Sequence, residues 1–174
     1  MRRIDSKQLH LLLLLFWVFL LACFFANVEI QIEGAHGWAA SLPTWRIDKH
    51  QLLDIFWGGR PMTGYHAWIF SFMFLVFHLP QVLHNSFSLR LEARCLGCLM
   101  LFWITEDFLW FVMNPAFGIA RFSPAFVPWH KQWLLGMPTD YMVFTIVGGT
   151  LLWGRSGATH PFPDMGAFLL TALS

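Results

Sequence analysis

Residues 94–113 read RCLGCLMLFWITEDFLWFVM, an almost wholly apolar run interrupted by two adjacent carboxylates, Glu106 and Asp107. An apolar helix of about 20 residues is long enough to cross the ~30 Å hydrocarbon core of a bilayer. The pair Asn114-Pro115 follows the run directly and is a strong signal for the end of a helix. The run therefore predicts a transmembrane helix that carries two acidic side chains within the bilayer.

Composition supports a membrane location for the whole chain. Of its 174 residues, 57% are hydrophobic and only 12% are charged, whereas a soluble domain averages about 45–50% apolar and about 25% charged residues. So few polar groups could not cover a water-facing surface, which excludes a disordered chain and a soluble single-domain enzyme. The formal net charge of +1 gives no electrostatic basis for nucleic acid as a partner.

Four apolar runs predict an all-α integral membrane protein, a four-transmembrane-helix bundle forming one membrane domain. The runs cover about residues 9–28, 64–84, 94–113 and 139–153. Pro80 is expected to kink or end the second helix near its last turn, and Gly148-Gly149 gives the fourth helix a thin face for close helix contact. The basic start of the chain also resembles a signal peptide, but the spans that follow favour a retained first helix.

The distribution of positive charge predicts the orientation of the bundle. Cytoplasmic loops carry an excess of Lys and Arg, and the short connection between the second and third runs carries two arginines, Arg90 and Arg94. Arg2 and Arg3 precede the first run. We therefore expect a multi-pass protein with both termini in the cytoplasm and with two outer loops, residues 29–63 and 114–138.

Each outer loop is predicted to contain a short interfacial helix. Residues 47–57 have an amphipathic pattern, and in the second loop Ser123 and Pro124 mark a helix start while Gly136 marks its end. Both loops are rich in tryptophan, whose ring favours the membrane–water interface. The outer face is therefore expected to be structured and aromatic.

The most informative residues are Glu106 and Asp107. They lie six or seven residues before Met113, about 10 Å below the outer end of the helix at ~1.5 Å per residue. A charged carboxylate at that depth is unfavourable by several kcal/mol unless it is paired, hydrated or protonated. Intramembrane acids therefore predict a functional site, the alternative being hydrogen bonds that hold the bundle together.

Two histidines and a third carboxylate are expected near the same depth. His66 lies in the first turn of the second helix, His130 in the outer loop after the third, and Asp140 at the start of the fourth. Imidazole and carboxylate ligands suit a divalent transition metal such as zinc, iron or manganese. A metal held by these residues and the Glu106-Asp107 pair would offset the unfavourable burial of the two acids and activate a bound water.

The same residues also fit a site without a metal. A carboxyl group could act as general acid while His66 or His130 acts as base. Arg46 is a candidate for holding a phosphate or carboxylate head group, with interfacial anchoring as the alternative. Trp129 and Trp133 in the second outer loop are candidates for contacting the substrate.

Cys95 and Cys98 lie one helical turn apart in the third run. Such a pair can form a redox couple, but the predicted position near the reducing cytoplasmic side favours simple packing between helices.

Taken together, these patterns favour a membrane-embedded enzyme. Its polar, metal-binding or acid–base site would lie just below the outer interface and would act on a lipid or amphiphilic substrate by hydrolysis or oxidation. The alternative is a non-catalytic membrane subunit or lipid-binding module whose Trp-rich outer face docks a membrane-protein partner or a second copy of the chain.

Overall fold

The computed structural model describes residues 5–50, 60–84 and 87–153. Within these ranges the chain forms four helices: α1 (Ser6–Glu33), α2 (Gly64–Leu83), α3 (Leu89–Met113) and α4 (Thr139–Trp153). The first three are long and apolar enough to cross a membrane, so the prediction of an all-α membrane protein is confirmed. The fourth has 15 residues in the described part, about 22 Å of helix, which is shorter than a typical span.

Polar caps extend the first and third helices beyond the predicted spans. The Asp5 side chain accepts a hydrogen bond from the Gln8 backbone N–H at 2.7 Å, and Ser88 Oγ accepts one from the Leu91 N–H at 3.3 Å. Such caps satisfy N–H groups that have no partner within the helix. Hydropathy identifies only the apolar middle of a helix. The polar ends are helical too, but their composition does not distinguish them from a loop in water.

The end of the first span needs a correction for this reason. The outer loop was expected to begin at residue 29, but α1 continues to Glu33. Glu29 and Glu33 therefore belong to the last turns of α1, where both are buried. They lie on one face of the helix because they are four residues apart.

Helix α3 is the centre of the bundle and packs against α1, α2 and α4. Val18 and Ala22 of α1, Met73 and Phe77 of α2, Cys98 and Phe102 of α3 and Leu152 of α4 form the main core cluster. A second cluster near the loops contains Ala26, Ile30, Trp110, Phe111 and Val127. Extensive packing between α2 and α4 is absent from the described ranges, so the two helices flank α3 on separate sides.

Two glycines allow α3 and α4 to approach closely. A Cβ on Gly97 would lie 2.9 Å from the Gly148 carbonyl oxygen, and a Cβ on Gly148 would lie 3.2 Å from the Gly97 carbonyl oxygen. The predicted thin face of the fourth helix is therefore confirmed at Gly148. The neighbouring Gly149 meets no atom within 4 Å.

The loop between α1 and α2 is closed by a two-residue antiparallel pairing. Arg46 pairs with Thr63 and Ile47 with Met62, as strands β1 (Arg46–Ile47) and β2 (Met62–Thr63). The interfacial helix predicted for residues 47–57 is wrong at its start, because Ile47 is extended and pairs with β2. Residues 51–57 of that prediction lie outside the described residues.

The helix predicted in the second outer loop is also wrong. The Phe126 and Val127 N–H groups bond to the Ser123 carbonyl, which makes a single turn. Pro128 ends it, because proline has no N–H to continue the ladder. A short 3-10 helix (Ile119–Arg121) precedes this turn, and a β-hairpin of β3 (Trp133–Leu134) and β4 (Met137–Pro138) follows it.

The hairpin turn explains why this segment does not become helical. Leu135 has φ 52° and Gly136 has φ 78°, and two successive residues with positive φ are typical of the type I′ turn that joins tight hairpins. Gly136 therefore sits within a turn rather than at the end of a helix.

All three cysteines are free, and Cys95 and Cys98 are buried in the helix packing. The predicted position of the termini falls on residues 1–4 and 154–174, which lie outside the described residues.

Candidate functional site

A cavity of about 400 Å³ lies over α3, between α2 and α4. Its volume is within the range of small-molecule pockets, roughly 300–1,000 Å³. One end is polar and is lined by Glu29, Glu33, Arg60, His66, Glu106, Asp107, His130 and Asp140. The other end is apolar and is lined by Phe70, Phe74, Leu99, Met100, Trp103, Ile104 and Phe144. The cavity is therefore amphipathic along its length.

Helical spacing accounts for this division. On α2, His66, Phe70 and Phe74 are four residues apart and so lie on one face. Thr63 caps the start of α2 by accepting from the His66 N–H at 3.2 Å, and its Oγ1 is also 2.7 Å from His66 Nδ1. The cap therefore orients the imidazole at the polar end, while the phenylalanines continue toward the apolar end.

Asp107 and His130 form the centre of the polar end. His130 Nε2 lies 3.0 Å from Asp107 Oδ2, and the Tyr141 hydroxyl donates a hydrogen bond to the same oxygen. On its other side His130 Nδ1 lies 3.4 Å from Asp140 Oδ2 and 2.7 Å from the Arg60 guanidinium. These contacts join the third helix, the second loop and the start of α4 in one network.

Arg60 links the first loop to this network. Its guanidinium forms an ion pair with Asp140 and donates from Nε to the Trp129 carbonyl oxygen at 3.1 Å. Its carbon Cζ lies 4.9 Å from the centre of the Trp38 ring, a distance at which a cation is attracted to an aromatic face.

Several groups of the network act on the pKa of His130 in opposite directions. Burial alone would lower the pKa of this imidazole, but the negative charge of Asp107 and the hydrogen bonds to Asp107 and Asp140 outweigh burial. The pKa of His130 is therefore raised above its ordinary value. Both nitrogens of the ring are engaged by protein groups, so His130 acts on Asp107 rather than directly on a ligand.

Glu106 has different surroundings from its neighbour Asp107. It is 2% exposed, and its carboxyl lies beside that of Glu29. A hydrogen bond between two carboxyl groups requires a proton on one of them. Glu29 also accepts from the Tyr65 hydroxyl at 2.8 Å. The Glu29–Glu106 pair can therefore hold a single proton at the cavity wall.

Two buried polar atoms on the cavity wall have no hydrogen-bond partner in the part of the chain that the structure describes. They are Glu106 Oε1 and Trp110 Nε1. A buried polar group without a partner is unfavourable by about 1–3 kcal/mol. These atoms, one of which can accept and one of which can only donate, are the part of the wall best suited to contact a ligand.

The loop after α1 is held in a conformation that non-glycine residues rarely adopt. Trp38 has φ 46° and Ala39 has φ 51°, values uncommon for side chains that carry a Cβ. The Glu33 carboxyl accepts from the Ala39 N–H, and the Trp38 indole donates to the Pro61 carbonyl oxygen at 2.8 Å. As a result Trp38 stacks on His66, with ring centres 3.9 Å apart.

Most of the residues predicted from sequence line this cavity. They are His66, Glu106, Asp107, His130, Asp140 and Trp129. Arg46 and Trp133 are not among its lining residues: Arg46 donates to the Ala39 carbonyl oxygen, and Trp133 donates to the His130 carbonyl oxygen at 2.7 Å. In the structure these two side chains support the loops instead.

The metal interpretation gains no support from the geometry. Among the described residues, no group of three or more His, Cys, Asp or Glu side chains is placed to hold a metal ion. His66 faces Thr63 and Trp38, whereas His130 faces Asp107 and Asp140. The two predicted imidazole ligands therefore have separate partners.

Sequence reasoning missed Glu29, Tyr65 and Tyr141 as members of the site. Glu29 falls at the start of the predicted first loop, and the sequence pattern gives neither tyrosine a role. One signal was available: Tyr65 precedes His66, and Tyr141 follows Asp140, so that each tyrosine neighbours a residue already selected.

No protein family, curated protein or solved structure matches this chain.

Proposed function

We propose that this protein is a membrane-embedded hydrolase that cleaves an ester bond in an amphiphilic substrate by general acid–base catalysis. The observation that carries the proposal is the amphipathic cavity, in which two adjacent carboxyl groups of α3 stand at the polar end of an apolar channel. The apolar end accepts the lipid chain, and the carboxyl groups act on its polar head.

Asp107 is the proposed base. Both of its described hydrogen bonds are made by Oδ2, to His130 and Tyr141. The side chain is 27% exposed and lines the cavity, so Oδ1 is available to accept a proton from water. His130 and Tyr141 hold the carboxylate in place during this transfer, which makes them positioning residues.

Glu106 is the proposed acid. Water attacks the acyl carbon as Asp107 takes its proton, and the bond from that carbon to the alcohol oxygen breaks. The leaving oxygen takes the proton held by the Glu29–Glu106 pair, giving a carboxylic acid and an alcohol. The proton on Asp107 returns to this pair through water, so that the site is restored.

We also propose that α4 is a short fourth span and that both termini are cytoplasmic. The close approach at Gly97 and Gly148 aligns α4 with α3, which supports its insertion beside a helix long enough to cross the membrane. Under this arrangement the substrate enters sideways from the bilayer, between α2 and α4.

The test is hydrolysis of dodecyl acetate and ethyl dodecanoate by the purified full chain in lipid nanodiscs, measured from the acids and alcohols released. General acid–base groups contribute about 10²–10⁴-fold to a rate, so we expect Asp107→Asn and Glu106→Gln each to lower the rate by about 100-fold or more. Glu92→Gln is the matched control, because Glu92 is on the same helix and pairs with His78 outside the cavity.

Equal rates for the wild type and the Asp107→Asn variant on both esters would contradict the proposal. A non-catalytic lipid-binding module is then favoured. One further observation supports that alternative: Leu134 and Leu135 in the hairpin and Phe126 in the preceding turn are exposed apolar side chains. Such a surface suits contact with a membrane or a partner.

A further inference from the structure

Trp110 and Glu106 are four residues apart on α3 and both line the cavity. On a helix this spacing puts two side chains on one face, with Cβ atoms about 5–6 Å apart. Both side chains are buried, Glu106 at 2% and Trp110 at 3% exposure. The two unpartnered atoms, Glu106 Oε1 and Trp110 Nε1, therefore belong to neighbouring side chains on one face of α3 at the cavity wall.

The two atoms differ in hydrogen-bonding capacity. An indole N–H can only donate, whereas a carboxyl oxygen accepts, or donates when it carries the proton. A hydroxyl group both donates and accepts, so it satisfies Trp110 and Glu106 whichever carboxyl of the Glu29–Glu106 pair is protonated. An ammonium group has no acceptor for Trp110, and a carboxylate satisfies Glu106 only when the Glu106 carboxyl carries the proton.

The surrounding charges also disfavour an anionic head group. Arg60 is paired with Asp140, and His130 lies between Asp107 and Asp140. The charge of Arg60 is therefore already neutralised by a protein carboxylate, and both ring nitrogens of His130 already face protein carboxylates. Glu29 stands beside Glu106 and would repel a carboxylate placed there.

The apolar end of the cavity is suited to a long chain. Leu99 lies eleven residues before Trp110, which corresponds to about 16 Å along α3. Phe70 and Phe74 of α2 and Phe144 of α4 line the sides of this channel. An alkyl chain placed here lies against apolar side chains along its whole length.

We infer that the cavity selects an uncharged amphiphile with a hydroxyl group, an apolar alcohol, and holds its oxygen between Trp110 Nε1 and Glu106. This inference rests on the proposed function, since it names the alcohol released from the ester as the part that the cavity recognises. It also stands separately, because binding of an alcohol does not require hydrolysis.

The test is binding of four probes with the same chain, dodecan-1-ol, dodecylamine, dodecanoate and dodecane. Each is titrated calorimetrically into the full chain in nanodiscs, with empty nanodiscs as the blank. We expect dodecan-1-ol to bind about tenfold more tightly than each of the others, because it alone satisfies both atoms.

Variants identify the contact. Trp110→Phe keeps an aromatic ring and removes the N–H, so affinity for dodecan-1-ol should fall about fivefold while that for dodecane is unchanged. Trp68→Phe is the matched control, because Trp68 is 76% exposed on α2 and does not line the cavity. Glu106→Gln retains an oxygen acceptor and should keep the selectivity for the alcohol. Glu106→Leu has no acceptor and should lose this selectivity, even if its melting temperature equals that of the wild type.

Each other outcome overturns the inference. Equal binding of all four probes would contradict selection of a hydroxyl group. It would not contradict an amphiphile-binding cavity or the proposed hydrolase activity. Tighter binding of the amine or the carboxylate gives the site a different ligand class. Failure of every probe to bind contradicts both the inference and the amphiphilic substrate.

Discussion

At the scale of single residues, two neighbouring acids in one helix have different surroundings. Asp107 receives hydrogen bonds from His130 and Tyr141, whereas Glu106 faces the carboxyl of Glu29. Consecutive residues of a helix point about 100° apart, so each acid meets different neighbours. This difference is what allows one carboxyl to be proposed as base and the other as acid.

His130 should make the stability of the protein depend on pH. Because its pKa is raised above its ordinary value of about 6.5 by Asp107 and Asp140, the folded state binds a proton more tightly than the unfolded state does. The free energy of unfolding should therefore fall as pH rises from about 6.5 through the raised pKa. Melting temperature in detergent, measured across this range, should decrease.

The variant His130→Gln keeps a donor for Asp107 but cannot titrate. It should flatten the decrease, whereas His36→Gln, which changes an exposed histidine of the first loop, should leave it unchanged. A melting temperature that rises with pH in the wild type, or an equal slope in His130→Gln, would show that the interaction with Asp107 does not set this dependence.

At the scale of elements, the contact between α3 and α4 depends on two small residues. Gly97→Ala places a Cβ 2.9 Å from the Gly148 carbonyl oxygen, so the helices must separate. Overpacking of this kind typically destabilises by about 1–3 kcal/mol. We expect a lower melting temperature in detergent and a displaced fourth helix.

Gly149→Ala is the matched control for that substitution. Its Cβ would meet no atom within 4 Å, and alanine is favoured over glycine within a helix by up to about 1 kcal/mol. This variant should therefore be neutral or slightly more stable than the wild type. A loss of stability at Gly149 equal to that at Gly97 would indicate that α4 turns a different face toward α3.

At the scale of the whole molecule, the proposed orientation can be tested by labelling. In a background without Cys23, Cys95 and Cys98, the single variants Lys7→Cys, Lys131→Cys and Ser156→Cys are treated with a membrane-impermeant maleimide on intact cells. We expect labelling at position 131 alone, with positions 7 and 156 labelled only after permeabilisation. Labelling at position 156 on intact cells would mean that α4 does not cross the membrane. Labelling at position 7 would mean that the orientation is the reverse of the proposed one.

The candidate site also depends on the whole bundle. Its polar end is formed by the last turns of α1, the first turn of α2, the C-terminal half of α3, both loops and the start of α4. Closure of the first loop by β1 and β2, and of the second by β3 and β4, brings Arg60 and His130 over α3. The cavity thus exists only when the helices and both hairpins are assembled.

The sequence alone predicted the features that depend on a single segment of the chain. The apolar runs located α1 to α3 because burial in hydrocarbon depends on local composition, and helical rise placed Glu106 and Asp107 within the bilayer. His66, His130 and Asp140 were selected because each is a polar residue beside the outer end of a predicted helix. The hairpin of β3 and β4 was missed because its turn needs a positive φ at Leu135, which a residue with a Cβ rarely adopts.

The sequence by itself determined that this is a helical membrane protein with acids at an unfavourable depth. Only the tertiary structure decided which groups meet those acids: Tyr141 and His130 at Asp107, Glu29 at Glu106, and Arg60 between the loops. The physical reason is that hydropathy and helical period act within one segment, whereas a hydrogen bond needs two atoms within about 3 Å. Residues far apart in the chain reach that distance only through packing.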